Sequence, residues 1–502
     1  MSFKSILSKL LARHVSRKEG RVALDGIERQ RATLRKLLTI AKDTVFGKEH
    51  GFHSEMSHQD FIKVVPIRDY EALKPWMDRV MAGESNVLWP GMPLYFCKTS
   101  GTTSGAKHIP LSKESMSNHI GSARNALLQF IAETGNASFL DGKMIFLQGS
   151  PILTNTPGGV PTGRLSGIVA HHVPRYLQKN RLPSFQANCI ESWKEKIDAI
   201  VHETKDQDLR LISGIPSWVQ NYFERLLEVT GAENVLEVFP RFELFVYGGV
   251  AFEPYRAKFK ELIGAEIPSV ELFPASEGFF AYQDRQHDPG LRLNVDDGIF
   301  YEFIPVSTYF DENPVRLGLE EVELDVQYAM VLSSNAGLWG YDIGDSIKFV
   351  SLNPFRIVVT GRIKHFTSAF GEHVIAEEVE GAIGDAMKER GGVITEFHVA
   401  PQVSPSDGLP FHEWFIEFQE LPADLEAFAS VLNQSVMERN PYYSELIAGS
   451  ILRPVVLHPL PGGAFHLAME VLGRLGGQNK PPRLANDRKF AEALCQIEME
   501  VR

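Results

Sequence analysis

From Pro90 to about residue 290, short apolar runs alternate with stretches of helical periodicity. Met144-Ile145-Phe146-Leu147, Leu209-Arg210-Leu211-Ile212 and Leu244-Phe245-Val246-Tyr247 read as strands. Lys113–Glu133, Cys189–Thr204 and Pro216–Val229 read as helices between them. Buried strands alternating with helices make an α/β sheet, and no other feature of the chain limits its fold as tightly. Ahead of this region, residues 26–46 read as a helix, with Ile27, Leu34, Leu37, Leu38 and Ile40 apolar among Arg and Lys. Pro66 and Pro75 flank a short helical piece around Tyr70 to Leu73.

The pattern changes after about residue 290. Gly298–Pro305, Glu320–Leu324, Ala329–Leu332 and Ile347–Val350 read as strands of hairpin-like β structure. Gly361-Arg362-Ile363-Lys364 then precedes a helix at Ala376–Arg390. Strands at Glu396–Ala400, Glu413–Phe418 and Ile451–Val456, with a helix at Asp424–Arg439, form a small α+β unit. A chain of 502 residues exceeds one ordinary core. Two domains are expected, residues 1–363 and 364–502, joined by a short hinge.

Charge and cysteine usage exclude several partners. Lys plus Arg total 51 against 63 Asp plus Glu, a net charge of −12, which disfavours non-specific binding to nucleic acid. Cys97, Cys189 and Cys495 are far apart and form no CxxC pair, so neither a disulfide framework nor a zinc site is expected. His171, His172 and His365 lack a third ligand at metal spacing and are expected in packing or surface roles. No apolar run reaches the ~18 residues of a membrane span. Ile6, Leu7, Leu10 and Leu11 fit one face of an N-terminal helix, and that face is expected to lie on the main domain rather than on a membrane. A cytoplasmic protein without a membrane partner is the expectation.

The segment Lys98-Thr99-Ser100-Gly101-Thr102-Thr103-Ser104-Gly105-Ala106-Lys107 carries the strongest functional signal. Glycines let backbone N–H groups turn toward a ligand, and the hydroxyls of Ser100, Thr102, Thr103 and Ser104 add donors for phosphate oxygens. Lys107 supplies a compact positive charge. The helix that follows is expected to add the field of its N-terminus. Three residues separate Gly101 from Gly105 and Ala106 precedes Lys107, so this is not a Walker A loop.

Two further clusters accompany the loop. Phe273-Pro274-Ala275-Ser276-Glu277-Gly278 follows a strand at Ser269–Leu272. A carboxylate at a strand's C-terminal end is well placed to hold Mg²⁺ through oxygen, and Phe273 is a candidate to stack on adenine. Tyr341-Asp342-Ile343-Gly344-Asp345 precedes a strand, and the Asp345 carboxylate suits a pair of hydroxyl donors.

These elements resemble the adenylate-forming superfamily, whose phosphate loop reads roughly Thr-Ser-Gly-Thr-Thr-Gly-x-x-Lys. More narrowly, the chain resembles the Gretchen Hagen auxin-conjugating acyl acid–amido synthetase family, which carries the extra serine that is Ser104 here. The stretches Val65–Tyr70 and Pro75–Val80 are similar to the family's sequence ahead of the loop. The resemblance implies a large N-terminal adenylate-forming domain and a small mobile C-terminal one. It implies nucleotide contacts from Gly248, Gly249, Phe273, Ala275, Ser276 and Tyr341, and ribose contacts from Asp345 and Arg362. It further implies a hinge at Lys364 and a mobile catalytic lysine at Lys480, within Gly476–Arg483. Pro274 and Asp342 depart from the family pattern, and Asp342 stands where the family has Arg.

The implied function is ATP- and Mg²⁺-dependent formation of an acyl-adenylate from a carboxylic acid, then acyl transfer to an amine, expected to be an amino acid. An acid–thiol ligase shares the first half-reaction and stands as the alternative. A non-catalytic nucleotide-binding protein is the alternative from another class.

Overall fold

The computed structural model describes residues 3–102, 105–172, 178–190, 193–249, 252, 255–362, 366–367, 374–402, 405, 407–448, 452–474, 480–485 and 488–501. The chain divides into two compact units. The first comprises Met1–Ile343 and Ile347–Val358, the second Gly344–Ser346 and Val359–Arg502.

A long sheet organises the first unit. Its strands, in spatial order, are Ile299–Pro305, Gln327–Ser334, Tyr341–Leu352, Phe355–Arg362, Leu291–Leu293, Gly278–Tyr282, Ser269–Ala275, Leu244–Gly248, Leu209–Ser213, Lys143–Phe146 and Arg181–Leu182. The run from Ser269–Ala275 to Arg181–Leu182 is parallel. From Gly278 onward the described pairings are antiparallel, which is the change of pattern seen near residue 290.

The parallel strands are apolar because both faces are covered. Ile145, Ile212, Phe245 and Tyr247 point to one side, into a core with Val201, Trp218, Phe223 and Phe259 of the crossover helices. Met144, Leu211, Leu244, Val246 and Val270 point to the other, against Leu128, Phe130 and Ile131 of the helix Lys113–Thr134. That helix is capped by Ser112, whose side chain accepts from Ser115 N, and it stops at Gly135 in the left-handed region (φ +70°).

Four expectations change. The helix near Tyr70 does not stop at Pro75 but runs from Tyr70 to Met81. Asp69 caps it by accepting from Ala72 N, and burial of Leu73, Met77 and Val80 outweighs the hydrogen bond lost at Pro75. The helix expected over 26–46 divides into Gly26–Ala41 and Val45–Glu49. Glu320–Leu324 is a turn rather than a strand, since Glu321 accepts from Gly318 N and only Leu324 makes a bridge, to Phe349. The last strand, expected from Ile451, begins at Val456, because Pro454 has no N–H to give the ladder; Ile451 itself lies outside the described residues.

The second unit has three layers. Its sheet runs Val393–Gln402, Phe411–Glu420, Val456–Leu460, antiparallel and then parallel. The central strand is buried on both faces. Trp414, Ile416 and Phe418 pack against the helices Ala376–Arg390 and Leu425–Arg439. Phe415 packs on the other side with the helices Ala464–Val471 and Lys489–Val501.

An ionic knot crosses that second face. His458 Nδ1 meets Glu498 at 3.0 Å, and its Nε2 pairs with Glu413 at 2.9 Å in ion-pair rather than hydrogen-bond geometry. Arg488 donates to the same Glu413 at 2.6 Å, and the imidazole stacks on Phe415 at 4.9 Å. Burial opposes charge on His458, but the two carboxylates outweigh it and raise its pKa above the ordinary histidine value. A raised folded pKa gives stability that is full below the unfolded value near 6.5 and is lost as pH rises through the folded value. The melting temperature should therefore fall as pH rises from about 6.5 through the raised folded value, and His458→Gln should flatten that slope in paired thermal melts.

Candidate functional site

The glycine-rich segment is a β-hairpin. Tyr95–Thr102 pairs antiparallel with Gly105–Leu111, with Thr99 opposite Lys107 and Thr102 opposite Gly105. Thr103 and Ser104 lie outside the described residues. For Ser100, Gly101, Thr102 and Gly105 the description is of the backbone. The expected helix N-terminus is not at this loop. A whole strand intervenes before the helix begins at Lys113. Lys107 is half-buried on the second strand.

The hairpin is anchored on three sides. Its first strand also pairs in parallel with Pro161–Gly163, Cys97 facing Gly163. His108 N donates to Tyr70 Oη at 2.9 Å, which ties the second strand to the helix Tyr70–Met81. Cys97 is fully buried, with Ser276 and the Glu277 carboxylate beside it. Burial first, and Glu277 second, push the Cys97 thiol far above its ordinary pKa. The loop strand and the Ser276-Glu277 turn are thus neighbours.

Ser276 and Glu277 form the two-residue connection between Ser269–Ala275 and Gly278–Tyr282, with Ala275 opposite Gly278. One strand over, Gly248 faces Leu272, and Gly249 has φ +82°. A Cβ on Gly248 would lie 2.5 Å from Leu272 O and 3.3 Å from Pro274 Cδ. The close approach of two backbones is what requires glycine there. Pro274, the departure from the family pattern, occupies that contact. Phe273 is 8% exposed and packs edge-on against Phe280 within the main core, so its ring is a core element and not an adenine platform.

Tyr341 begins a strand rather than preceding one, with Gly344 left-handed inside it (φ +77°). Arg68 N donates to Gly340 O and Asp342 N donates to Arg68 O, both at 2.8 Å, which bridges the Val65–Tyr70 stretch to Tyr341. Tyr341 Oη is buried and has no hydrogen-bond partner among the described residues. Burial, then the Glu277 and Asp342 carboxylates, raise its pKa far above the phenol value. Asp342 is buried and accepts from Tyr309 Oη at 2.5 Å, a structural pairing for the residue that replaces the family's Arg. Lys107 shares a hairpin with Cys97, and Cys97, Ser276, Glu277 and Tyr341 converge in the first unit.

The remaining predicted residues belong to the second unit. Asp345 is 8% exposed on the strand that Tyr341 begins. Arg362 ends the strand Phe355–Arg362 by its backbone, and Lys364 lies outside the described residues. Lys480 is half-buried at the start of a described stretch that is pinned to the small sheet. Val399 N donates to Arg483 O at 2.8 Å and Ala485 N donates to Val399 O at 3.0 Å. The Arg483 side chain pairs with Glu380 at 2.8 Å and Glu396 at 3.1 Å, over the Phe397 ring.

Sequence reasoning missed Cys97, Tyr70 and Arg483. Cys97 and Tyr70 act through contacts between distant segments, which leave no local pattern. Arg483 was visible as the residue closing the Lys480 element, but its two carboxylate partners were not. His171 contacts Pro151 O and His172 contacts Tyr95 Oη, so both serve packing. Gly248→Ala should destabilise the first unit by about 1–3 kcal/mol, because its new methyl meets rigid backbone. Denaturant unfolding of the variant against the parent measures this, and an unchanged midpoint would mean the two strands part easily.

Comparison with known proteins follows the same geometry. The GH3 family N-terminal domain matches residues 21–187, its central domain residues 293–362 and its C-terminal domain residues 377–489. An indole-3-acetic acid-amido synthetase, GH3.3, of Arabidopsis thaliana is 20% identical over 93% of this chain and 90% of its own. A jasmonoyl–L-amino acid synthetase, JAR4, of Nicotiana attenuata is 21% identical over 64% of this chain and 66% of its own. The solved structure of GH3.15 acyl acid amido synthetase superposes with a TM-score of 0.79 at 14% identity, covering 96% of each chain. With three successive domains of one family matched along most of its length, this chain belongs to the GH3, or Gretchen Hagen, family of adenylate-forming ligases.

Proposed function

We propose that the protein joins a carboxylic acid to AMP at the expense of ATP and then passes the acyl group to an amine, an amino acid being the acceptor class. A carboxylate resists amines at neutral pH because oxide is a poor leaving group. Attack of the acid oxygen on the α-phosphate expels pyrophosphate and leaves an acyl-adenylate. Attack of the amine on that acyl carbon then expels AMP, and the proton lost from the ammonium goes to solvent. The observation that supports this reading best is the buried Tyr341 hydroxyl, which has no hydrogen-bond partner among the described residues and feels the charge of Glu277. A buried phenol without an acceptor is costly, and a ligand oxygen would satisfy it.

The donor set fits magnesium carried by a nucleotide. Such an ion takes one or two protein carboxylates and draws its other ligands from phosphates and water. Glu277 is that carboxylate, and among the described residues no cluster of three His, Cys, Asp or Glu forms a dedicated metal cage. When bound, the ion neutralises charge on the triphosphate. The chain's own residues do the rest. The loop N–H groups and the hydroxyls of Ser100, Thr102, Thr103 and Ser104 hold the phosphates, and Lys107 adds charge. Gly248, Gly249, Ala275 and Ser276 let the nucleotide approach the sheet edge. Asp345 and Arg362 serve the ribose. Lys480 serves the acid and the α-phosphate during adenylation. The C-terminal domain, residues 364–502, turns about Lys364 to admit the acceptor. A cytoplasmic setting suits the three unpaired cysteines. Among the described residues no helix is long and apolar enough to cross a membrane.

A screen of carboxylic acids for AMP release, with amino acids or coenzyme A supplied in turn, tests the reading. An amide product supports it, whereas a thioester alone replaces it with the acid–thiol ligase. Lys480→Ala should slow acid-dependent pyrophosphate exchange by about 10²-fold or more and leave the melting temperature unchanged. Glu277→Gln should raise the magnesium concentration needed for half-maximal exchange; an unaltered magnesium titration removes Glu277 from the site. Tyr341→Phe should weaken ATP binding without loss of stability, because the hydroxyl it deletes has no hydrogen-bond partner among the described residues.

A further inference from the structure

The helix Phe3–Leu24 packs on the first unit through the face that sequence periodicity did not select. Ser5 donates to Asp141 at 2.9 Å, Ala12 and Val15 join the core beside the helix Lys113–Thr134, and Glu19 accepts from Asn125 and pairs with Arg292. Ile6, Leu7, Leu10 and Leu11 are left 47–59% exposed. This corrects the expectation that the apolar face lies on the main domain. A buried face made of small residues and one carboxylate brings the helix close, and the large apolar side chains are turned outward.

Charge follows the same face. One turn beyond the exposed leucines it carries Arg13, Arg17, Lys18 and Arg21, all exposed. Across its length the helix has six Lys or Arg and one Glu, a charge of +5. The chain as a whole is −12, so the remainder is −17. An apolar half and a cationic half on one exposed face, set against an acidic body, cannot be read as ordinary surface scatter.

We propose that this face docks on an anionic lipid surface, the leucine half entering the boundary of the acyl chains and the basic half meeting lipid headgroups. Such a helix lies in the interface plane and needs both signals, because neither suffices alone. A second copy of the chain is the poorer occupant. Parallel self-pairing sets two cation rows against each other, and antiparallel pairing sets each leucine half against a cationic half. The acidic body keeps the rest of the molecule off the same surface, which makes the attachment peripheral and oriented.

The test is co-sedimentation of the full chain with vesicles of phosphatidylcholine alone or mixed with phosphatidylserine. The protein should pellet with the mixed vesicles, not with phosphatidylcholine alone, and salt should release it. Leu7→Asp with Leu10→Asp should weaken binding by about tenfold or more, as should Arg17→Glu with Lys18→Glu. Leu421→Asp, an equally exposed apolar residue in the second unit, should bind as the parent does. Matching melting temperatures establish that the variants fold. Failure of the parent to pellet with phosphatidylserine vesicles overturns the proposal, as does equal binding by the leucine variant. A lipid-free dimer abolished by Leu7→Asp with Leu10→Asp overturns it in favour of a second copy.

Discussion

The glycine-rich hairpin and the Ser276-Glu277 turn meet where the buried Cys97 thiol lies beside Ser276. Cys97 lies in the strand that leads into the glycine-rich turn, and Ser276 begins the turn that carries Glu277. Their relative position is set underneath, where Cys97 is fully enclosed and its strand is paired on both sides. The same enclosure keeps water from the base of the site. That strengthens whatever field the loop and Lys107 exert on an anion.

A second support enters through the stretch Val65–Tyr70. Glu302 is completely buried and pairs with Arg316 at 2.6 Å and with His58 at 2.9 Å. Burial alone would raise its pKa, but His58 and Arg316 outweigh that and hold it below the ordinary glutamate value. Arg316 also donates to Val65 O. A buried ion pair is weak evidence for net stability, because desolvation consumes much of the attraction. Its value here is positional. It fixes the backbone at Val65, from which Arg68 bridges to Tyr341 and Tyr70 reaches His108. One stretch of chain thereby touches the hairpin and the strand of Tyr341 together.

Much of this frame was legible in the sequence, and the exceptions have physical causes. Short, mostly apolar runs identified the parallel strands because two covered faces leave them few polar positions. The helix Ala376–Arg390 matched its periodicity from end to end. The glycine-rich turn was read as leading into a helix because Gly105–Leu111 is short and holds Pro110, which weakens its strand signal. Pro110 is tolerated because this strand lies at the edge of its small sheet. Phe273 was assigned to adenine on residue type, yet type does not say which side of a strand a ring faces. The N-terminal helix failed for the opposite reason: its apolar periodicity was real, but close packing by Ser5 and Ala12 won the interior face. Asp342 could not be understood until Tyr309, distant in sequence, supplied its hydrogen bond.

Placement of Lys480 shows why the residues around a catalytic candidate matter as much as the candidate. A lysine is a flexible point charge, and a useful one must be delivered from a fixed base. The stretch from Lys480 to Ala485 has no helix or strand of its own length to supply that base. Arg483 supplies it instead, three residues away. Its guanidinium spans Glu380 on a helix and Glu396 on a strand, while its carbonyl accepts from Val399 N. His398 Nδ1 holds the neighbouring Pro482 O at 2.5 Å, and the two prolines before Arg483 remove backbone freedom. Arginine is required at this position for geometry, since a lysine cannot bridge two carboxylates with a planar fork. The Pro-Pro-Arg element therefore belongs to the sheet of the second unit, and it gives the backbone at Lys480 a fixed base.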